Sequence, residues 1–329
     1  MKTMNPVKIL PEESSVRALK EKLFLSVIIP AYNEAENLPQ MFQELQEILR
    51  PSHFVEDYEI IVVDDHSSDR TFEFIKSLKK EKVRCVRLSR RSGSHIAIRA
   101  GIGYAQGDAA LCISGDGQDN PRVLNEMLEK FQAGAQVVWG VRHRREGSRL
   151  ARFLVHIAYR LINLIANSEV SLDTLSNADF YLLSKNVAKA IKRCPEKHTS
   201  LFGLILWLGF KQAFVKYERR PRRSGESKWS FLGRVRLLTD WIIAFSGIPL
   251  KLISLLGMLT ATLGFLYALF VLCYTLLGYA KPGWAETVFL ILILGGAQMM
   301  MLGVMGEYLW RTLDETRSRP LFFIEDQTD

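Results

Sequence analysis

Three clusters of polar residues hold the chain's candidate chemistry, and each follows a short apolar run. Pro30, Ala31, Tyr32, Asn33 and Glu34 come after the first. Asp64, Asp65, His66, Ser67, Ser68 and Asp69 come after the second, and Asp116, Gly117, Gln118 and Asp119 after the third. Carboxylates placed this way suit the N–H edge of a nucleobase and the hydroxyls of a ribose, but they would repel a pyrophosphate. A divalent cation removes that conflict, because Mg²⁺ or Mn²⁺ takes oxygen ligands and bridges one or two carboxylates to phosphate oxygens. Asp116 with Gln118 is the expected protein share of that shell, and a nucleotide diphosphate is the expected ligand. Paired acids after a strand are commonly helix caps when met singly; the order and spacing of all three clusters point to a ligand site. No GxGxxG or GxxxxGKS/T loop accompanies the runs, which disfavours a dinucleotide or P-loop site.

The elements that must position these groups alternate. Leu25 to Ile29 reads as a strand ending at Pro30, and Asn33 to Leu49 as a helix capped by Asn33. Tyr58 to Val63 is a second strand and Thr71 to Lys79 a second helix. Further strands are expected at Val83 to Leu88, Ala109 to Ser114 and Val137 to Gly140. Short β-branched runs separated by helical patterns predict an α/β fold with a doubly wound, mostly parallel sheet. Such sheets bind ligands beyond the carboxyl ends of their strands, where the polar clusters fall.

The apolar residues crowd toward the end of the 329-residue chain. Leu252 to Ala280 and Thr287 to Gly306 contain no charged residue, and a span needs about 20 apolar residues. Gly278, Lys281, Pro282 and Gly283 make a tight connection, so a two-helix transmembrane hairpin is predicted. Arginines on both flanks place both ends in the cytosol. Leu150, Phe153, Leu154, Ile157 and Leu161 recur at helical spacing, as do Trp229, Leu232, Val235 and Leu238. Beside arginines, both stretches predict amphipathic helices in the headgroup plane, although core-facing helices show the same period. The net charge of +8 suits anionic lipid or substrate. Nucleic acid is not expected, because the basic residues adjoin the apolar runs rather than an aromatic-interleaved groove. Four scattered cysteines predict reduced thiols, neither a disulfide framework nor a zinc site, and the first twenty residues lack the apolar core of a secretory signal.

Taken together, SVIIPAYNEAENL, EIIVVDDHSSDRT, GDGQDNP, GVRHRREGSRLARF, NADFYLLS, YERRPRRSGESKWS and GEYLWRTLDETRSRPLF resemble the polyprenyl-phosphate glycosyltransferases. That family includes dolichol-phosphate mannose synthase and a bacterial branch with two C-terminal spans, and the resemblance runs from about Leu23 to Phe323. It implies a GT-A-like fold and an inverting, Mg²⁺- or Mn²⁺-dependent transfer of a sugar from a UDP- or GDP-type donor to a polyprenyl phosphate. By the same resemblance, Pro30, Tyr32, Glu34, Asp64 and Asp65 bind the donor with Gln118, with Asp69 nearby, and Asp116 and Gln118 hold the metal. Arg142, Arg152, Arg222, Ser227 and Lys228 receive the acceptor phosphate, and Asp179 joins Asp116 as a catalytic position, cast as an orienting group.

The implied organisation is a polar segment 1–22, a cytosolic catalytic domain 23–228 with an amphipathic helix at about 148–166, an interfacial helix 229–247, two spans within 248–310, and a cytosolic tail 311–329. The lipid bilayer is a partner, and homo-oligomerisation stays open. Several positions depart from the family pattern. Ser114 replaces the first acid of D-x-D-x-Q, His66 replaces the glycine of the DDGS turn, Ala178 and Tyr181 change G-D-F-R-L, and Phe202 stands where an arginine is customary before Gly203. A different lipid or glycan acceptor, or an impaired nucleotide-binding membrane scaffold, is the alternative those changes leave open.

Overall fold

The computed structural model describes residues 22–78, 82–142, 178–197, 199–218, 220, 248–277 and 283–328. The expected amphipathic helices at about 148–166 and 229–247, the N-terminal segment 1–21, Lys79, Gly278, Lys281 and Pro282 lie outside the described residues.

Eight strands form one sheet. In chain order they are β1 (Leu23–Ala31), β2 (Val55–Asp64), β3 (Val83–Leu88), β4 (Ala109–Cys112), β5 (Val137–Arg142), β6 (Ala178–Ser184), β7 (Gln212–Tyr217) and β8 (Ile324–Gln327). Their spatial order is β7-β5-β6-β4-β1-β2-β3-β8. β1, β2, β3 and β4 pair in parallel, as do β5 and β7. The expected mostly parallel sheet is in fact mixed, because β6 runs antiparallel between β4 and β5 and β8 runs antiparallel beside β3. Strand direction leaves little trace in composition, since Phe180 to Leu183 of β6 are as buried as the residues of the parallel strand β4.

Both faces of the sheet are covered, which is why β1 reads as a continuous apolar run rather than an alternating one. On one face, Leu25, Val27 and Ile29 pack with Leu38, Met41, Phe42, Leu45 and Leu49 of α1 (Leu38–Leu49). On the other face, α3 (Ser94–Tyr104) lies against β1 and β2. Gly101 permits that approach, because an added Cβ would stand 2.4 Å from Cγ2 of Ile28. The remaining short helices are α2 (Thr71–Ser77), α4 (Leu124–Gln132), α5 (Lys185–Lys192) and α6 (Leu201–Trp207).

Two sequence expectations about local structure change. Asn33 does not cap a helix: it takes a left-handed conformation (φ 54°), and α1 begins later, where Pro39 occupies the first turn. The strand expected to reach Ser114 stops at Cys112, leaving Ser114 in the loop that follows.

Two long helices complete the chain, α7 (Ile248–Leu276) and α8 (Trp284–Thr316). They touch where Met301 approaches Gly257. Among the described residues, the stretch Ile253–Val271 is long and apolar enough to cross a membrane by length and composition. After α8 the chain returns to the sheet as β8 within the segment expected to be a tail.

Candidate functional site

β4, β1 and β2 are parallel neighbours, so their carboxyl ends share one edge of the sheet. Ala31 registers with Asp64, and Ile28 with Cys112. The loops that begin there carry Tyr32 to Glu34, Asp65 to Asp69 and Ser114 to Asp119. The three polar clusters therefore meet, as ligand loops do in this kind of sheet. β5 runs the same way as β4 and ends in Arg142. β6 runs in the opposite sense, so its first residues, Ala178 and Asp179, reach the same edge, where Ala178 registers with Val141. Pro30, Tyr32, Glu34, Asp64, Asp65, Asp116, Gln118, Arg142 and Asp179 are thus gathered along one rim. Arg152, Arg222, Ser227 and Lys228 lie outside the described residues.

The first two loops are stitched together by side chains. Asn33 donates its backbone N–H to Oγ of Ser67 (2.9 Å), and its Oδ1 accepts from the Ser68 N–H (2.9 Å). Glu34 donates its N–H to Oγ1 of Thr71 (2.9 Å), and its Oε2 accepts from Nδ2 of Asn37 (2.6 Å). Asp69 bridges them, its Oδ1 accepting from the Thr71 N–H (3.0 Å) and its Oδ2 from the Ala35 N–H (3.3 Å). His66 retains the left-handed turn (φ 59°) despite its Cβ, a conformation that costs a non-glycine residue about 1 kcal/mol or more.

The paired acids face the protein rather than solvent. Asp64 is fully buried; its Oδ1 accepts from the Ser67 N–H (3.2 Å), and its Oδ2 lies 3.3 Å from an Nη of Arg87. Asp65 accepts from the backbone N–H of Ser92 (2.6 Å) and of Gly93 (2.8 Å), which fixes the loop entering α3. Burial raises the pKa of both carboxyls, with these hydrogen bonds and the neighbouring arginines pulling the other way. Arg91, on that loop, stacks its guanidinium 4.1 Å from the centre of the Tyr32 ring.

The third loop is built on Asp119. Its buried carboxylate accepts from Oη of Tyr217 (2.8 Å) and from the Ser114 N–H (3.3 Å). Asp116 accepts the Gln118 N–H on Oδ1 (3.1 Å), and Gly117 supplies the positive φ of 69° between them. Arg220 closes the far side, its N–H donating to the Gln118 carbonyl (3.0 Å) and its guanidinium pairing with Glu44 (2.7 Å). Among the described residues no group of three or more His, Cys, Asp or Glu side chains could hold a metal. With Ser114 in place of an acid and Asp119 bonded to Tyr217, Asp116 and the amide oxygen of Gln118 are the loop's candidate oxygens for such an ion. A magnesium-type ion needs no more from protein when phosphate oxygens and water complete its shell.

Sequence reasoning did not single out Arg87, Arg91 or Tyr217 and gave Asp119 no role. The available signal was Arg87 itself, a cation inside the buried run VRCVRL, one strand away from an acid pair and in register with Asp64. The two aromatic departures, Tyr181 and Phe202, turn out to be neighbours. Their rings lie 5.5 Å apart in a T-shaped contact and pack with Trp139 and His95.

Residues 26–190 match the model of "Glycosyl transferase family 2". An uncharacterized glycosyltransferase of Synechocystis sp. is 37% identical over 92% of this chain and 95% of its own length. A prophage bactoprenol glucosyl transferase homolog of Escherichia coli is 33% identical over 92% of this chain and 98% of its own. The bactoprenol glucosyl transferase of Shigella phage SfV is 32% identical over 92% and 98%. The mixed α/β sheet with its loops at one edge is GT-A-like, and the chain belongs to glycosyl transferase family 2.

Proposed function

We propose that the chain is an inverting glycosyltransferase that moves a sugar from a nucleotide diphosphate donor to a polyprenyl phosphate at the cytoplasmic membrane face. The observation that supports this most directly is the meeting of the three polar loops with Arg142 on one sheet edge, in a chain similar over 92% of its length to bactoprenol glucosyl transferases.

In this proposal Pro30, Tyr32 and Glu34 line the nucleoside, and the braced turn from Asp64 to Asp69 forms the wall against it. Asp116 and Gln118 would hold Mg²⁺ or Mn²⁺, which when bound neutralises charge on the departing diphosphate. Arg142, with Arg152, Arg222, Ser227 and Lys228, holds the acceptor phosphate in line. A phosphate monoester has its second pKa near 6 and is largely dianionic at cytosolic pH, so the attacking oxygen needs no strong general base. That oxygen bonds to the anomeric carbon as the bond to the diphosphate breaks on the opposite face. Asp179 orients the reacting groups at the start of β6.

Residues 23–228 form the catalytic domain. The helix 229–247 rests in the headgroup plane, two spans within 248–310 form the anchor, and both termini lie in the cytosol. The test is to incubate the full-length protein in detergent with a panel of UDP- and GDP-sugars, Mg²⁺ or Mn²⁺, and a polyprenyl phosphate, and to weigh the lipid products. A single glycosylated lipid phosphate that disappears on chelation is expected. Nucleotide binding without turnover would replace the proposal with a non-catalytic scaffold, and transfer to another lipid would move the acceptor assignment.

A further inference from the structure

The C-terminal strand lies against the turn assigned above to the donor. β8 pairs antiparallel with β3, with Arg87 opposite Asp326 and Val86 opposite Gln327. Backbone hydrogen bonds from Ser89 to the Phe323 carbonyl (2.9 Å) and from Thr328 to the Cys85 carbonyl (2.9 Å) extend the pairing at both ends. On this strand Glu325 turns its carboxylate to Arg87, whose Nε donates to Oε2 at 2.9 Å. The Arg87 guanidinium has its other edge on the donor turn, 3.3 Å from Oδ2 of Asp64 and donating to the Ser67 carbonyl at 3.3 Å, while its plane lies 5.0 Å from the centre of the Phe72 ring. Glu325 Oε2 is also 3.1 Å from Nδ1 of His66, which is 3.2 Å from the Leu88 carbonyl. Both of those neighbours are acceptors, so Nδ1 carries the proton. A residue near the end of the chain therefore engages the left-handed turn residue His66 directly and the buried acid Asp64 through Arg87.

We propose that Glu325 is a positioning residue for the donor nucleotide: it aims Arg87 at Asp64 and steadies His66, so that the turn from Asp64 to Asp69 is preset before the donor arrives. The physical reason is preorganisation. A planar guanidinium holds a fixed fork only when both edges are engaged, and without Glu325 it is free to rotate away from a fully buried carboxylate. His66 then keeps a strained φ with one fewer acceptor at its ring. This rests on the donor assignment under Proposed function.

The experiment compares the full-length protein with Glu325→Gln, Arg87→Gln, the double variant and Lys76→Ala in detergent, reading calorimetric affinity for UDP and GDP with Mg²⁺ present and, for transfer, KM for each substrate. Lys76→Ala removes the neighbouring β8 ion pair with Asp326 (2.9 Å), which does not reach the donor turn. Glu325→Gln is expected to weaken the bound nucleotide and raise donor KM about tenfold, leaving acceptor KM within about twofold. The double variant should be no weaker than Arg87→Gln alone, and Lys76→Ala should match wild type. Unchanged nucleotide affinity in Glu325→Gln, equal losses for donor and acceptor, additive effects in the double variant, or a Lys76→Ala loss as large as that of Glu325→Gln would each overturn the positioning role while leaving the donor site standing. Failure of the wild-type protein to bind either nucleotide would instead overturn the donor assignment, and the positioning role with it.

Discussion

Asp116 and Asp119 stand three positions apart and have different surroundings. Both are buried; Asp119 accepts from Tyr217 and the Ser114 N–H and so ties the loop to β7, whereas Asp116 accepts the Gln118 N–H within the loop and is the carboxylate proposed above for the metal. Asp116→Asn should lower kcat for sugar transfer at least about 100-fold, the size expected when a preorganised electrostatic group is lost, with the melting temperature within a degree or so of wild type. Asp119→Asn should lower the urea midpoint by an amount corresponding to about 1–3 kcal/mol, because a buried hydroxyl and a buried N–H lose their charged acceptor. Wild-type kcat in Asp116→Asn, or stability changes of equal size in both variants, would defeat this division. The sequence made Asp116 visible through its position after an apolar run. It could not reveal Asp119's part, because the partner Tyr217 lies 98 residues away on β7.

The first turns of α3 and α6 are joined by His95, whose Nδ1 accepts from the Leu201 N–H at 3.3 Å while its ring meets Phe202 edge-on at 5.2 Å. Burial, helped by the Arg99 guanidinium, pushes the ring's pKa down to about 4 from 6.5. The folded value is depressed, so the folded state binds fewer protons than the unfolded chain below pH 6.5. The stabilisation is complete above that pH and is lost as pH falls toward 4, with a slope of at most about 1.4 kcal/mol per pH unit from this group. His95→Gln keeps an acceptor for Leu201 and cannot titrate, so its melting temperature should fall less steeply between pH 6.5 and 4 than wild type; parallel curves would exclude the assignment. This junction was not legible in the sequence, where His95, Leu201 and Phe202 show no shared period. β1 to β4 were legible, because each carries a short, mainly apolar run that its burial in the sheet requires. The direction of β6 and the pairing of β8 were not, since both depend on which neighbour a strand finds and leave no mark on its own composition.

Across the whole chain the two regimes of composition become two bodies tied together at the end of α8. With 33 residues, α8 is about 50 Å long, more than the roughly 30 Å of hydrocarbon, so its final turns extend beyond the apolar zone of any membrane it spans. There Asp314 and Glu315 meet the loop before α6: Lys197 donates its N–H to Glu315 (2.8 Å) and its Nζ to the Asp314 carbonyl (2.8 Å). With α8 as one of the two proposed spans, its far end and the sheet share one side of the bilayer. The chain enters α7 after leaving the sheet at β7, so the proposed pair of spans puts the short connection between α7 and α8 on the opposite side. The uncharged runs made the two long helices α7 and α8 legible in the sequence, but the return of the chain to the sheet was not, because IEDQ carries no strand-like alternation of its own. Cys273 is exposed on α7, so the test uses a Cys273→Ser background. In that background Lys281→Cys should react with a membrane-impermeant maleimide in intact cells, whereas Asp329→Cys should react only after lysis. Labelling of both in intact cells, or the reverse pattern, would rule out a hairpin with cytosolic ends.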